Sequence, residues 1–118
     1  MIGTYKENMI IDSIEIFASN PKVKNYSQHL DSFIKNDNKM MIKNSLKDED
    51  ILTSVIKKAL NNSNFEFIKK IIPLIDEKSK LERINIILSD SPPSSNIEKV
   101  KEVINLRNQR LESSCTIY

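Results

Sequence analysis

Apolar residues recur along most of this chain at spacings of three, four and seven, the period of an α-helix with one buried face. Ile10, Ile14 and Phe17 form the first run, and Leu52, Val55, Ile56, Ala59 and Leu60 form a later one. Phe65, Ile68, Ile72 and Ile75 make another, and Ile97, Val100, Ile104 and Leu111 make the last. Four times the pattern Ser/Thr-x-x-Glu stands where a helix would begin: Thr4/Glu7, Ser63/Glu66, Ser79/Glu82 and Ser95/Glu98. In such a pair the hydroxyl accepts a bond from a free backbone N–H of the first turn. The glutamate carboxylate accepts from the cap residue's own N–H, so donors the helix leaves orphaned are satisfied.

Helix breakers punctuate these runs. Asn20-Pro21 should stop the first helix near Ala18, because the residue before proline is driven to extended geometry, and Pro21 then suits the start of a second helix running near Asn25 to Asn36. Asn36-Asp37-Asn38 reads as a turn, followed by a short helix through Met40, Met41 and Leu46. Asp48 opens the next helix, its acidic residues facing the positive end of the dipole, and Asn61-Asn62 closes it. Pro73 removes an N–H inside the run from Phe65 to Ile75, so that helix should kink or end near Ile72. Ser91-Pro92-Pro93-Ser94-Ser95 is the clearest loop. No two runs read as a hairpin. The expectation is an all-α fold, a compact bundle of roughly five to seven short helices without a sheet. It forms a single helical domain over residues 1–118, with 112–118 as a flexible tail.

The stretch from Leu52 to Ile72 resembles a degenerate ankyrin-type helical pair, over about one repeat of 33 residues. It lacks the glycine and the Thr-Pro-Leu-His start of such repeats, and no second copy follows. A bundle is therefore expected in place of a solenoid.

Composition narrows the chemistry. Hydrophobic residues at 39% and charged residues at 29% are the balance of a soluble globular protein. The single Gly excludes glycine-dependent phosphate loops and dinucleotide fingerprints. One His and one Cys leave no zinc-binding cluster and no intramolecular disulfide. Eighteen basic and 16 acidic residues are interspersed to a net +2, so no field draws in nucleic acid. Lys22–Lys24, Lys57–Lys58 and Lys69–Lys70 read as solvated helix faces. Met1 to Lys6 has no secretory pattern, and the expected compartment is the cytoplasm, bacterial or, for a secreted effector, that of a host.

Candidate catalytic groups are sparse. A nucleophile would have to be Cys115, near the chain end, with His29 as base, and the two lie far apart in sequence. Asp48 with Asp50, and Asp76 with Glu77, fall where helices start, which explains them without catalysis. No enzyme activity, cofactor or metal is expected. Cys115-Thr116-Ile117-Tyr118 has the order of a prenylation site but ends in Tyr and lacks a basic stretch before it. Thr116-x-Tyr118 also suits a C-terminal carboxylate captured at a sheet edge, and a frayed terminus is the third reading.

Surface remains. In the Ser63 helix a second stripe, Phe67, Ile71 and Leu74, lies opposite the first, so this helix is either central to the bundle or covered by another chain. In the last helix Arg107 occupies a slot where an apolar residue is expected, free to snorkel or to meet a partner's carboxylate. Phe67, Ile71, Leu74, Arg107 and Arg110 are accordingly the expected partner-binding residues, with a homodimer expected for the free chain.

Overall size, the Ile/Lys/Asn-rich helices from Asn61 to Leu88, the Ser-Pro-Pro-Ser-Ser loop and the lack of catalytic apparatus resemble the small regulatory proteins encoded beside Legionella effectors. In size and type the chain is similar to inhibitors of the paired ubiquitin-deamidating and ubiquitin-transglutaminating effectors. No motif carries the resemblance and no residue transfers with it. It implies a non-enzymatic inhibitor or adaptor that docks on such an enzyme and denies ubiquitin access to its catalytic cysteine. The alternatives are a structural homo-oligomer without a further partner and a membrane-tethered factor held through Cys115.

Overall fold

The computed structural model describes the backbone of residues 2–35 and 38–116 and the side chains of residues 9–35 and 38–112. Among the described residues seven α-helices follow one another: α1 (Ile2–Ser19), α2 (Tyr26–Lys35), α3 (Lys39–Leu46), α4 (Glu49–Asn61), α5 (Phe65–Ile71), α6 (Lys78–Ser89) and α7 (Ser95–Thr116). A 3₁₀ turn, Ile72–Leu74, continues α5, and no strand occurs among the described residues. Asn36-Asp37 of the expected turn lies outside the described residues. The segment expected as a tail from 112 is helical as far as Thr116.

Helix α4 is the central element, packing against α1, α3, α5 and α6, while α7 closes the other side over α5 and α6. It starts where Asp48, with extended backbone, accepts from the N–H groups of Asp50 and Ile51 at 2.9 and 3.1 Å. Glu49 and Asp50 complement its dipole, and Leu52, Val55, Ile56 and Ala59 are all fully buried. Each of the three larger side chains, Leu52, Val55 and Ile56, contributes about 1.5–3 kcal/mol by leaving water. The buried residues make one contiguous cluster from Ile10 to Ile104. The radius of gyration, 14.3 Å, is near the roughly 13.5 Å of a compact chain of this length.

The four Ser/Thr-x-x-Glu pairs do not form caps as expected. Helix α1 already runs through Thr4. Before α5 the cap is Asn64, with Ser63 one residue upstream in the left-handed region at φ 53°. Ser79 lies inside α6, whose cap residue Glu77 makes no side-chain capping bond. Before α7 the hydroxyl of Ser94 accepts from Ile97 N–H at 3.2 Å, with Ser95 already helical. Pro73 acts as expected: α5 stops at Ile71 and the chain tightens into the 3₁₀ turn.

Candidate functional site

The junction of α1, α2 and α5 is built around one buried amide. Asn64 Oδ1 accepts from Phe67 N–H at 3.3 Å, capping α5. Its Nδ2 reaches the carbonyls of Phe17 and Ala18 at 2.9 and 3.1 Å, at the last turn of α1, and Tyr26 Oη at 2.8 Å. Tyr26 Oη in turn donates to Phe17 O at 2.6 Å. A serine hydroxyl could accept the cap bond but, with a single donor, could serve only one of the two α1 carbonyls that Asn64 Nδ2 reaches. Burial pushes the Tyr26 phenol above its ordinary range; the bond from Asn64 opposes this and the nearby Glu66 carboxylate adds to it. The effect is to fasten the α1 end to the α2 start through hydrogen bonds centred on a buried amide.

Anchored this way, Tyr26 helps to form an aromatic floor. Phe17 stacks on Phe33 with ring centroids 4.9 Å apart, and Tyr26 meets Phe17 edge-on at 6.0 Å. Helix α1 packs on α3 and α4, and α2 on α3, but α1 and α2 make little backbone contact with each other. The rings only partly fill the space between them, leaving an open groove of about 430 Å³. Ile16, Val23 and Asn20 form one wall with the floor beneath, and His29 and Asn38 supply the polar groups at the other side. Ile16 is 61% exposed and Val23 53%, unusual for large aliphatic side chains that share one cavity. Met9, two turns before Ile16 on α1, is also exposed, as is Met40, just past Asn38. The remaining large exposed aliphatics, Ile86 and Leu106, stand apart on α6 and α7.

Three lysines are neighbours in sequence of residues that line the groove. Lys22 and Lys24 flank Val23 and are exposed, and Lys39 follows Asn38 at the start of α3. None of the three forms an ion pair with a described residue, whereas Lys58 and Lys70 are paired with Glu15 and Asp31. On α1 Asp12 is exposed and Glu15, beside Ile16, is half-buried.

The residues expected to bind a partner are not brought together. Phe67, Ile71 and Leu74 are 1%, 2% and 5% exposed, because α5 is sandwiched between α4 and α7 and both its stripes face the protein's own core. This corrects the expectation that they form a surface. Arg107 meets a carboxylate on its own chain: Nε donates to Ile75 O at 2.9 Å and Nη2 to Asp76 Oδ1 at 2.7 Å. Lys43 holds the other Asp76 oxygen at 3.1 Å, so α3, α7 and the turn after Pro73 are clamped together. Lys43, and then Arg107, keep the Asp76 carboxyl below its ordinary range. Arg110 alone of the five is exposed. The groove residues were missed, although Ile16 carried a signal: it falls out of phase with the buried run Ile10, Ile14 and Ala18.

Catalytic candidates also disperse. His29 lines the groove, Asp48 caps α4 and Asp76 sits in the clamp. The Cys115 side chain and the last two residues lie outside the described residues, and with them the prenylation and carboxylate-capture readings. No cluster of three or more His, Cys, Asp or Glu side chains suited to a metal occurs among the described residues. No helix among them is long and apolar enough to cross a membrane. No family model, curated protein or solved structure matches the chain.

Proposed function

We propose that this protein is a non-enzymatic regulator that works by binding another protein, and that the groove between α1 and α2 is where it binds. The observation that carries the reading is the gathering of exposed Ile16 and Val23 around a fixed aromatic floor. Single exposed aliphatics are ordinary on a protein surface, but several around one concavity mark an interaction site. The floor needs no rearrangement, since Asn64 and Tyr26 hold it from behind, so little ordering entropy is lost on binding. The resemblance to effector inhibitors nominates a ubiquitin-modifying bacterial enzyme as the first activity to assay.

The test is affinity capture from the native cell with the wild-type chain and with a variant carrying Ile16→Gln and Val23→Gln. Both positions are more than half exposed, so the variant keeps its helical circular dichroism. A protein retained in stoichiometric amount by the wild type and lost by the variant supports the reading. Equal retention by both moves the interface elsewhere, and light scattering that finds only a homodimer replaces it with self-association.

A further inference from the structure

We infer that α2 is a hinged flap that opens as a unit while the rest of the bundle stays folded, and that its opening dismantles the groove. The inference concerns the motion of α2 and stands apart from whatever the groove binds. The α2 backbone packs on α3 and makes at most marginal contact with any other helix. Its buried side chains are Tyr26 and Leu30, whereas α4 and α6 each bury four. A helix with so little apolar surface in the core loses little by leaving it, and such elements open at a lower cost than the whole molecule. The connection from α1, residues 20–25, is bridged by a long bond from Val23 N–H to Asn20 O at 3.5 Å. It enters α2 through Asn25 at φ 58°, in the left-handed region that a residue other than Gly leaves readily.

What holds α2 down is a polar seam with α5 and its cap. Asn64 Nδ2 donates to Tyr26 Oη at 2.8 Å, Ser27 Oγ donates to Glu66 Oε1 at 2.6 Å, and Lys70 Nζ donates to Asp31 Oδ1. These pairs advance in the same direction along both helices, so the seam runs from the start of α2 as far as Asp31. Lys70 Nζ also lies 3.8 Å from Glu66 and serves both carboxylates. The Lys70, Asp31 and Glu66 side chains are partly exposed, so water screens their pairs and each is weak. The floor of the groove is divided between the two helices, Phe17 on α1 and Tyr26 and Phe33 on α2. Their stacking, and the groove above it, therefore exist in the closed state alone.

The test is hydrogen exchange of the full chain, followed by NMR as urea rises below the unfolding transition. The amides of residues 29–35 should share one urea slope, smaller than that of residues 55–59 in α4. After correction for intrinsic rates they should exchange at least about tenfold faster than those of α4. Ile84→Val, in a buried position on α6 that stays packed when α2 opens, should speed α4 exchange about two- to tenfold and leave α2 within about twofold. Tyr26→Phe removes bonds to Phe17 and Asn64 that the closed state alone makes, and should speed the α2 amides about tenfold. Lys70→Met should speed them about threefold. Acceleration of α2 together with α4 in Ile84→Val would mean that α2 leaves only when the whole molecule unfolds. Rates that differ from residue to residue and ignore urea would mean fraying in place of a unit, and α2 exchange unmoved by Tyr26→Phe would remove the seam as its fastening. Each of these three results would overturn the inference.

Discussion

Two isoleucines within helices have opposite fates. Ile56 on α4 is fully buried, and Ile16 on α1 is 61% exposed. The centre of the molecule, α4 and α5 with α6 and α7 around them, has neighbours on several sides and buries apolar residues on more than one face of a helix. The α1–α2 edge has neighbours on one side only; Ile10, Ile14 and Ala18 satisfy it, and Ile16 is surplus to the core. An apolar residue at the centre is accounted for by folding. At the edge, a cluster of them is better accounted for by what it meets.

The comparison breaks most readily at the centre. Phe67→Ala removes a buried ring between α4 and α7 and should cost about 3–5 kcal/mol, a large share of the roughly 5–15 kcal/mol typical of a whole domain. Urea unfolding should show a midpoint reduced by a third or more, or no cooperative transition. A loss under about 1 kcal/mol would mean that α5 is not the centre.

Next is the amide that joins the two regions. Asn64→Ala uncaps α5 and leaves the Phe17 and Ala18 carbonyls without their shared donor, so about 2–4 kcal/mol should be lost. Asn64→Asp is the sharper variant. It keeps the α5 cap but sets a carboxylate oxygen against two carbonyl oxygens, and should be no more stable than Asn64→Ala. An aspartate variant melting with the wild type would show that Nδ2 is not the donor the α1 end depends on.

These two residues also show what was legible in the chain. Helical period and breakers led to the all-α class, the end of α1 near Ala18, the stop before Pro73 and the Asp48 cap, because each is decided within a turn or two of sequence. The Ser/Thr-x-x-Glu pairs misled, because a cap is chosen by whatever else the side chain must reach. Asn64 is chosen over Ser63 by carbonyls more than 40 positions away. The two stripes of α5 posed the right question, core or interface, but only its neighbours α4 and α7 answer it. The groove was hidden for the same reason, since Phe17, Val23 and Phe33 belong to three segments that meet only in the fold.

The clamp at Asp76 should give a smaller effect. Arg107→Leu removes the bond to Ile75 O and the pair with Asp76, and should lower stability by about 1–2 kcal/mol. Urea unfolding as a function of pH checks the sign. The folded Asp76 carboxyl, held low first by Lys43, binds a proton less readily than in the unfolded chain, where its ordinary value is 3.8. Its contribution is therefore complete above that value and lost as pH falls through the lowered one. Half-exposed as it is, the pair is worth less than about 1 kcal/mol. Asp76→Asn should flatten the acid limb of the profile. Glu49, held low by Arg83, titrates in the same sense, so the comparison is cleanest with Glu49→Gln in both chains.

The smallest expected effect bears most directly on the contrast between centre and edge. Ile56→Val and Ile16→Val delete the same methyl group. The first should cost about 0.5–1.5 kcal/mol and the second almost nothing, because a side chain already in water leaves no cavity behind. Ile16→Gln should likewise stay within about 0.5 kcal/mol of the wild type while removing the groove's apolar wall. Stability and binding then separate: the edge residue can be changed without harm to the fold, and only binding records the loss. A drop of more than about 1 kcal/mol for Ile16→Gln would place Ile16 among the residues that hold α1 to α2. The groove would then be a seam in the core, and its apolar wall would need no partner to explain it.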